Sequence, residues 1–322
     1  MSLRLRSVMN NLLLKYHEIK IASGVKSVSI DRYINYIDDF YINNNIDSIV
    51  YTKELHSLWI KERNDLEGHY VRYIRTIYLI EFLSFIKSLG YDVYIPRRLP
   101  YKSSNFIAYI FADEELYKYF EYIDSFFSYK DPMVALYVPI VFRILLSCGT
   151  RIGETLALRV EDIDLNEGVI HLKETKNSRF RSIPMSSSLL SLLKQYCDKC
   201  LYLKSKDDFF FSHIDKRKVD EQSIYHIHRK ALEYAGVPYI GSTKGPRLHD
   251  LRHTFAVKSL KQFEDRGCDL NNVLPILRQY LGHTNISATE KYLQLVSQNY
   301  NDVLDKTKDT ELSIMKGENN DD

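Results

Sequence analysis

Between Leu3 and Gly90, apolar side chains recur at intervals of three to four residues. Leu12, Leu13, Tyr16 and Ile19 make one stripe, and Tyr70, Tyr73, Ile74, Ile77, Ile80, Phe82, Leu83 and Ile86 make another. A 3.6-residue period gathers such positions onto one face of a helix, so the segment reads as a small domain of helices packed through these stripes. Gly90 reads as a helix stop. The run Pro96-Arg97-Arg98-Leu99-Pro100, with Lys102-Ser103-Ser104-Asn105 behind it, mixes helix-breaking, charged and small polar residues in the manner of an exposed linker. The expected organisation is a helical domain over 1–95, a linker over 96–110, a second domain over 111–299 and a tail over 300–322.

The second domain changes period part-way along. Asp113 stands where a helix N-cap belongs, with Glu114 and Glu115 in the first turn, where carboxylates complement the helix dipole. The longest apolar run, 134–148, is broken by Pro139 and Arg143 and falls short of the ~20 residues a bilayer span requires, so it reads as a buried helix. Apolar and charged residues then alternate over 162–165, 169–173 and 181–185, separated by Asn166-Glu167-Gly168 and Lys176-Asn177-Ser178. Alternation between turn signals predicts a small antiparallel sheet. Ser186 to Ser188 cap a further helix, and the chain to about residue 306 reads as helical. The fold class expected is mostly α with a small antiparallel sheet: a helical domain followed by a mixed α/β domain.

Composition narrows the class. With 322 residues, 45% hydrophobic and 27% charged, the chain can bury two cores, and fibrous or wholly disordered readings fall away. The N-terminal segment lacks the apolar core and cleavage site of a secretory signal, so the expected location is the cytoplasm. The net charge of +2 divides unevenly: residues 1–100 and 101–299 carry +3 each, and residues 300–322 carry −4. A mild basic bias is compatible with a nucleic-acid partner without naming one. Four cysteines are too few for a disulfide scaffold, and no second pair at zinc-ligand spacing follows Cys197 and Cys200.

Four stretches carry the candidate chemistry: Gly149-Thr150-Arg151-Ile152-Gly153-Glu154, Lys176 in the turn of a strand pair, Leu248-His249-Asp250-Leu251-Arg252-His253, and Leu281-Gly282-His283 with Tyr292 nine residues on. Each alone is a weak signal, since Arg151 can equally cap a helix through Glu154 and His249 can equally be a buried, backbone-bonded histidine. Their order is more specific. Together, GTRIGETLALRVEDID, ETKNSRFRSIPM, RLHDLRHTFAV and YLGHTNISATEKYL resemble the conserved blocks of the tyrosine recombinase, or phage integrase, family over about residues 111–300. The helical first domain is similar to that family's core-binding domain only in length, position and helicity.

The resemblance implies a catalytic set of Arg151, Lys176, His249, Arg252, His283 and Tyr292. The chemistry is coherent. Attack on a phosphodiester adds charge to its non-bridging oxygens, and Arg151 and Arg252 can each present a planar fork to them. A tyrosine of pKa ~10 is about one part in a thousand phenolate at neutral pH, so Tyr292 needs a base, for which His249 is the candidate. Lys176 fits the donor that protonates the departing 5′-oxygen, and His283 a second donor to the phosphate. Lys173, Arg179 and Arg181 are read as facing phosphates or solvent, His253 as a packing residue, and Tyr280 and Tyr300 as alternative hydroxyls.

What the resemblance implies as a whole is a site-specific DNA recombinase that clamps duplex DNA between its domains and works through a 3′-phosphotyrosyl link. It implies neither a metal nor a nucleotide cofactor. The partners implied are double-stranded DNA, further copies of the chain in a tetramer on two DNA sites, and accessory DNA-bending or directionality proteins, with no membrane. The 31 steps between Arg252 and His283 exceed those of compact members, and DLNNVLPILRQYLGH leans toward integrases of mobile elements. Rival readings are a type IB topoisomerase-like enzyme, a telomere resolvase, and a DNA-binding regulator that keeps the fold without catalysis. After Tyr292, the apolar stripe Leu293, Val296, Tyr300, Val303 and Leu304 must be buried against this chain or a neighbouring copy.

Overall fold

The computed structural model describes residues 3–25, 27–62, 67–100, 108–128, 131–173, 180–200, 204–239, 241, 245–282 and 292–293. The chain divides into two compact units, Met1–Asn105 and Phe106–Asp322. The first is built from α1 (Asn10–Ala22), α2 (Ser27–Asn43), α3 (Lys53–Lys61) and α4 (His69–Ser88). Leu12, Leu13 and Tyr16 of α1 meet Ile30, Ile34, Ile37 and Phe40 of α2 and Leu79, Phe82, Leu83 and Ile86 of α4. The ends of both predicted stripes lie outside this core: Ile19 and Tyr70 are exposed. A short stripe drifts off the buried face as the helix leaves its neighbours.

Polar groups pin the unit where apolar packing alone would leave it loose. Asp38, buried, accepts the backbone N–H groups of Arg6 and Ser7, which ties the N-terminal segment to α2. Arg75 lies buried in α4 with its guanidinium 4.2 Å from the Trp59 ring centroid, paired with Glu67 at 2.7 Å.

The second unit contains α5 (Asp113–Ser125), α6 (Met133–Ser147), α7 (Ile152–Ala157), β1 (Ile163–Asp164), β2 (Val169–Leu172), β3 (Arg181–Pro184), α8 (Ser187–Cys200), α9 (Glu221–Tyr234), α10 (Asp250–Asp265) and α11 (Leu270–Leu281). The mostly helical fold with one small antiparallel sheet is as the periodicity predicts. The strands pair in the order β1-β2-β3, with Ile163 opposite Ile170 and Ile170 opposite Ile183. The β1–β2 turn follows from its sequence: Asp164 Oδ1 accepts the N–H groups of Asn166 and Glu167 at 2.9 Å each, and Gly168 takes φ +66°. Ile170, Leu172 and Ile183 face the core, whose centre is α6 with Val138, Val141, Phe142 and Ile144 fully buried. Among the described residues no helix is long and apolar enough to cross a membrane.

Two local expectations need correcting. Asp113 is the first helical residue of α5 rather than its cap; Ala112 occupies the cap, and Glu115 reaches back to accept its N–H at 2.9 Å. The stretch between α8 and α9 is not helical where described. It carries isolated bridges pairing Arg159 with Phe209 and Ser212 with Lys218, because Phe210 and Phe211 are consecutive and both buried, which an extended chain crossing the core permits and a surface helix does not. The tail from residue 294 onward, with most of its predicted stripe, lies outside the described residues.

One buried group gives the unit an acid-sensitive element. His228 is 1% exposed in α9, with Nδ1 2.7 Å from the Tyr119 hydroxyl, and burial pushes its pKa down to about 4. In the unfolded chain the imidazole titrates near ~6.5, so the unfolded state binds the proton first. The stabilisation is complete above that pH and is lost as pH falls toward 4, by roughly 3 kcal/mol. Denaturant unfolding of His228→Gln across this window is expected to show a correspondingly shallower loss of stability; an unchanged slope would place the acid sensitivity elsewhere.

Candidate active site

The site forms where the turn before α7, the start of α10 and the end of α11 converge. His249 is the N-cap residue of α10, which sets Arg252 one turn along the same side. Arg252 is 1% exposed. Its Nη1 donates to the Gly149 carbonyl at 2.7 Å and its Nη2 to the Leu281 carbonyl at 2.6 Å, while Nε has no partner among the described residues. Burial, then the charge of Arg151, lowers the Arg252 pKa to about 10, which still leaves it cationic at neutral pH.

Arg151 caps α7. Its backbone N–H and Nη1 both reach Glu154, at 3.0 and 2.6 Å, and its Nη2 lies 3.5 Å from the Gly282 carbonyl. The capping role and a place in the site therefore coexist. Glu154 also takes Arg181 from β3 at 2.6 Å. Burial raises the Glu154 carboxyl, but the hydrogen bonds and charges of Arg181 and Arg151 outweigh it and hold it below the ordinary range.

Tyr292 is 2% exposed, packed on Ala256, Val257 and Leu260 of α10 and Val273, Leu274, Leu277 and Leu281 of α11. Its hydroxyl lies 2.9 Å from His253 Nδ1. Burial raises its pKa, opposed by Arg252, by charge and hydrogen bond, and by Arg151. Asp250 is fully buried, accepts the Arg247 N–H at 2.7 Å, and places Oδ1 3.9 Å from His253 Nε2. The His249 ring meets solvent on one side and packs edge-on to His253, with centroids 4.8 Å apart. Surrounding protein, then His253, Arg252, Arg151 and Arg247, hold its imidazole well below the usual range. The local charge is strongly positive: Arg151, Arg181, Arg247 and Arg252 stand against the carboxylates Glu154 and Asp250.

The structure thus brings together Arg151, His249, Arg252 and Tyr292, while Lys176 and His283 lie outside the described residues, as do Arg179 and Tyr300. Of the cations read as facing phosphates or solvent, Lys173 is exposed as expected, whereas Arg181 is largely covered. Lys173 pairs with Glu161 at 2.6 Å and Asp162 at 2.8 Å, and Arg181 is bound by Glu154. Tyr280 is stacked on Phe255 and pushed up by burial, away from a nucleophile's needs. The sequence reading gives His253 a packing role and turns Arg181 outward, although spacing holds the signals for both: His253 is four residues from His249 on one helix, and Arg181 shares a strand face with buried Ile183.

Residues 116–299, more than half of the chain, match the phage integrase family. The chain belongs to that family of tyrosine recombinases. It is 29% identical over 167 residues to a tyrosine recombinase of Pseudothermotoga lettingae, covering 52% of each chain. It is 26% identical over 218 residues to XerA of Pyrococcus furiosus, covering 66% of this chain and 63% of that one. The chain spans about half the length of the first curated relatives it matches. Its fold is similar to that of the XerH recombinase bound to a palindromic difH substrate, at a TM-score of 0.66 and 18% identity, covering 94% and 97% of the two chains. A lambda integrase dimer bound to a core site follows at 0.62 and 17%, covering 88% and 94%.

Two outcomes are expected from this geometry. Gly149 sits at φ +57°, where a Cβ would collide with the Phe255 ring, and its carbonyl holds Arg252. Gly149→Ala should cost about 3 kcal/mol in denaturant unfolding, and Phe255→Leu in the same chain should restore part of it by removing the clash but not the strain. An alanine variant as stable as the parent would remove the argument. Separately, NMR titration of His249 in the free protein should give a midpoint well below ~6.5 that rises when inorganic sulfate occupies the site, because an anion offsets the neighbouring cations. A midpoint near 6.5 in the free protein would contradict this.

Proposed function

We propose that this chain is a site-specific DNA recombinase that cleaves and rejoins duplex DNA through a 3′-phosphotyrosyl bond at Tyr292. The observation that carries the reading is a tyrosine hydroxyl set against a buried arginine, in a cluster with more fixed positive than negative charge. Such a cluster favours a group that gains negative charge as it reacts, as a phosphodiester does under nucleophilic attack. Arg151 and Arg252 take the non-bridging oxygens. His249, neutral at working pH and open to solvent on one side, accepts a proton or a phosphate contact. Lys176 delivers a proton to the leaving 5′-oxygen and His283 donates to the phosphate, roles that rest on the family motifs alone. The phosphotyrosine conserves the energy of the broken bond, so the joining step needs no high-energy cofactor.

Relatives support the wider reading. XerH is described in pre- and post-cleavage complexes with its difH substrate, a lambda integrase tetramer on a Holliday junction, and a transposon integrase with circular intermediate DNA. By extension, this chain acts as a tetramer on paired sites and serves the integration of a mobile element.

The experiment is covalent capture on nicked duplexes drawn from a randomised pool, with adducts trapped in denaturant. Wild-type protein should yield an adduct in excess chelator, because the site's own cations neutralise the phosphate. Tyr292→Phe should yield none while binding DNA within a few-fold of wild type. Binding should weaken steeply with salt as displaced counterions return. An adduct that survives Tyr292→Phe, or that requires Mg²⁺, would overturn the assignment.

A further inference from the structure

We propose that His253 is the base that takes the Tyr292 proton as the phenolic oxygen attacks phosphorus, with Asp250 as the charge behind it. This rests on the recombinase reading and adds to it a residue outside the six that the family motifs supply. The geometry is that of a hydroxyl–imidazole–carboxylate series. Tyr292 Oη lies 2.9 Å from His253 Nδ1, and His253 Nε2 lies 3.9 Å from Asp250 Oδ1. Proton transfer from a nucleophile requires this kind of reach at the first contact, and the carboxylate stabilises the imidazolium that results. Asp250 is fully buried and fixed by the Arg247 backbone N–H, so its position does not depend on substrate. His253 and Asp250 lie three residues apart on α10, which puts both on the side of the helix that Tyr292 covers.

The step balances without any further reactant. The Tyr292 Oη–phosphorus bond forms as the phosphorus–5′-oxygen bond breaks. The tyrosine proton passes to His253 Nδ1, and the leaving oxygen is protonated from the other side, by Lys176 in the proposed scheme. In rejoining, an incoming 5′-hydroxyl gives its proton back to the donor, Lys176 in the proposed scheme, as its oxygen bonds phosphorus and displaces Tyr292 Oη, which recovers its proton from His253. His249, packed edge-on to His253 and open to solvent, is left for the phosphate.

The test uses the captured nicked duplexes in single-turnover cleavage, comparing wild type, His253→Gln and His253→Ala. His253→Gln should form adduct at least about 100-fold more slowly, with DNA binding kept. The defect should be equally large on a duplex whose leaving 5′-oxygen is replaced by sulfur, since a thiolate leaves without a proton and only the nucleophile's side is then read. Its logarithmic rate should climb with unit slope between about pH 6 and 9, as hydroxide replaces the missing base. Added imidazole should restore part of the rate to His253→Ala. Rates within threefold of wild type, rescue by the sulfur leaving group, or a slow variant with a wild-type pH profile and no response to imidazole would each overturn the proposal. Failure of wild type to form any adduct would overturn the recombinase reading itself, and the inference with it.

Discussion

Arg252 is the interaction on which the rest of the site depends. A guanidinium 1% exposed has lost its water, and two of its hydrogen bonds go to backbone carbonyls 132 residues apart in sequence, Gly149 and Leu281. Carbonyl dipoles offset part of the desolvation but do not neutralise the charge. The same two bonds fix the turn that presents Arg151 and the helix end beside which Tyr292 packs. Any change that moves the guanidinium therefore moves both the turn bearing Arg151 and the helix end beside Tyr292.

Charge balance around this group is resolved on one side only. Arg151 and Arg181 share the buried Glu154, and Arg247 takes Asp250. Among the described residues, no carboxylate forms an ion pair with Arg252, whose guanidinium bonds backbone carbonyls instead. An isolated buried cation would normally be a destabilising feature. On the proposed function, a phosphodiester supplies the missing anion, so that part of the energy of binding goes to completing an electrostatic arrangement the fold leaves open. Tyr292 is likewise covered, with its hydroxyl held against His253 rather than open to solvent.

Periodicity made most of the architecture legible. The buried helix around Pro139, the three-strand meander and the pairing of His249 with Arg252 across one turn all follow from spacing, because each is local. Long-range constraints were less visible. The chain around Phe210 and Phe211 reads as a helix by residue type, yet it crosses the core extended, since two adjacent aromatics must both be buried. Arg181 looks like a solvent-facing cation until the fold supplies Glu154 as its largely buried partner. His253 was set aside as packing because its neighbour Arg252 already accounted for the motif, whereas the contact that gives it chemical meaning comes from a tyrosine 39 residues later.

The two histidines of α10 illustrate how position within one helix turn divides chemical labour. His249, at the cap, stands at the solvent edge among several cations, where protonation is penalised by surrounding protein and by charge. A phosphate arriving there removes the electrostatic part of that penalty, so the imidazole gains basicity only once substrate is bound. His253, one turn deeper, has the opposite setting, with a buried carboxylate within 4 Å and the nucleophile's hydroxyl in contact. On the proposed reading, a site built this way holds one imidazole against the tyrosine hydroxyl before DNA arrives and leaves the other, at the solvent edge, to meet the phosphate.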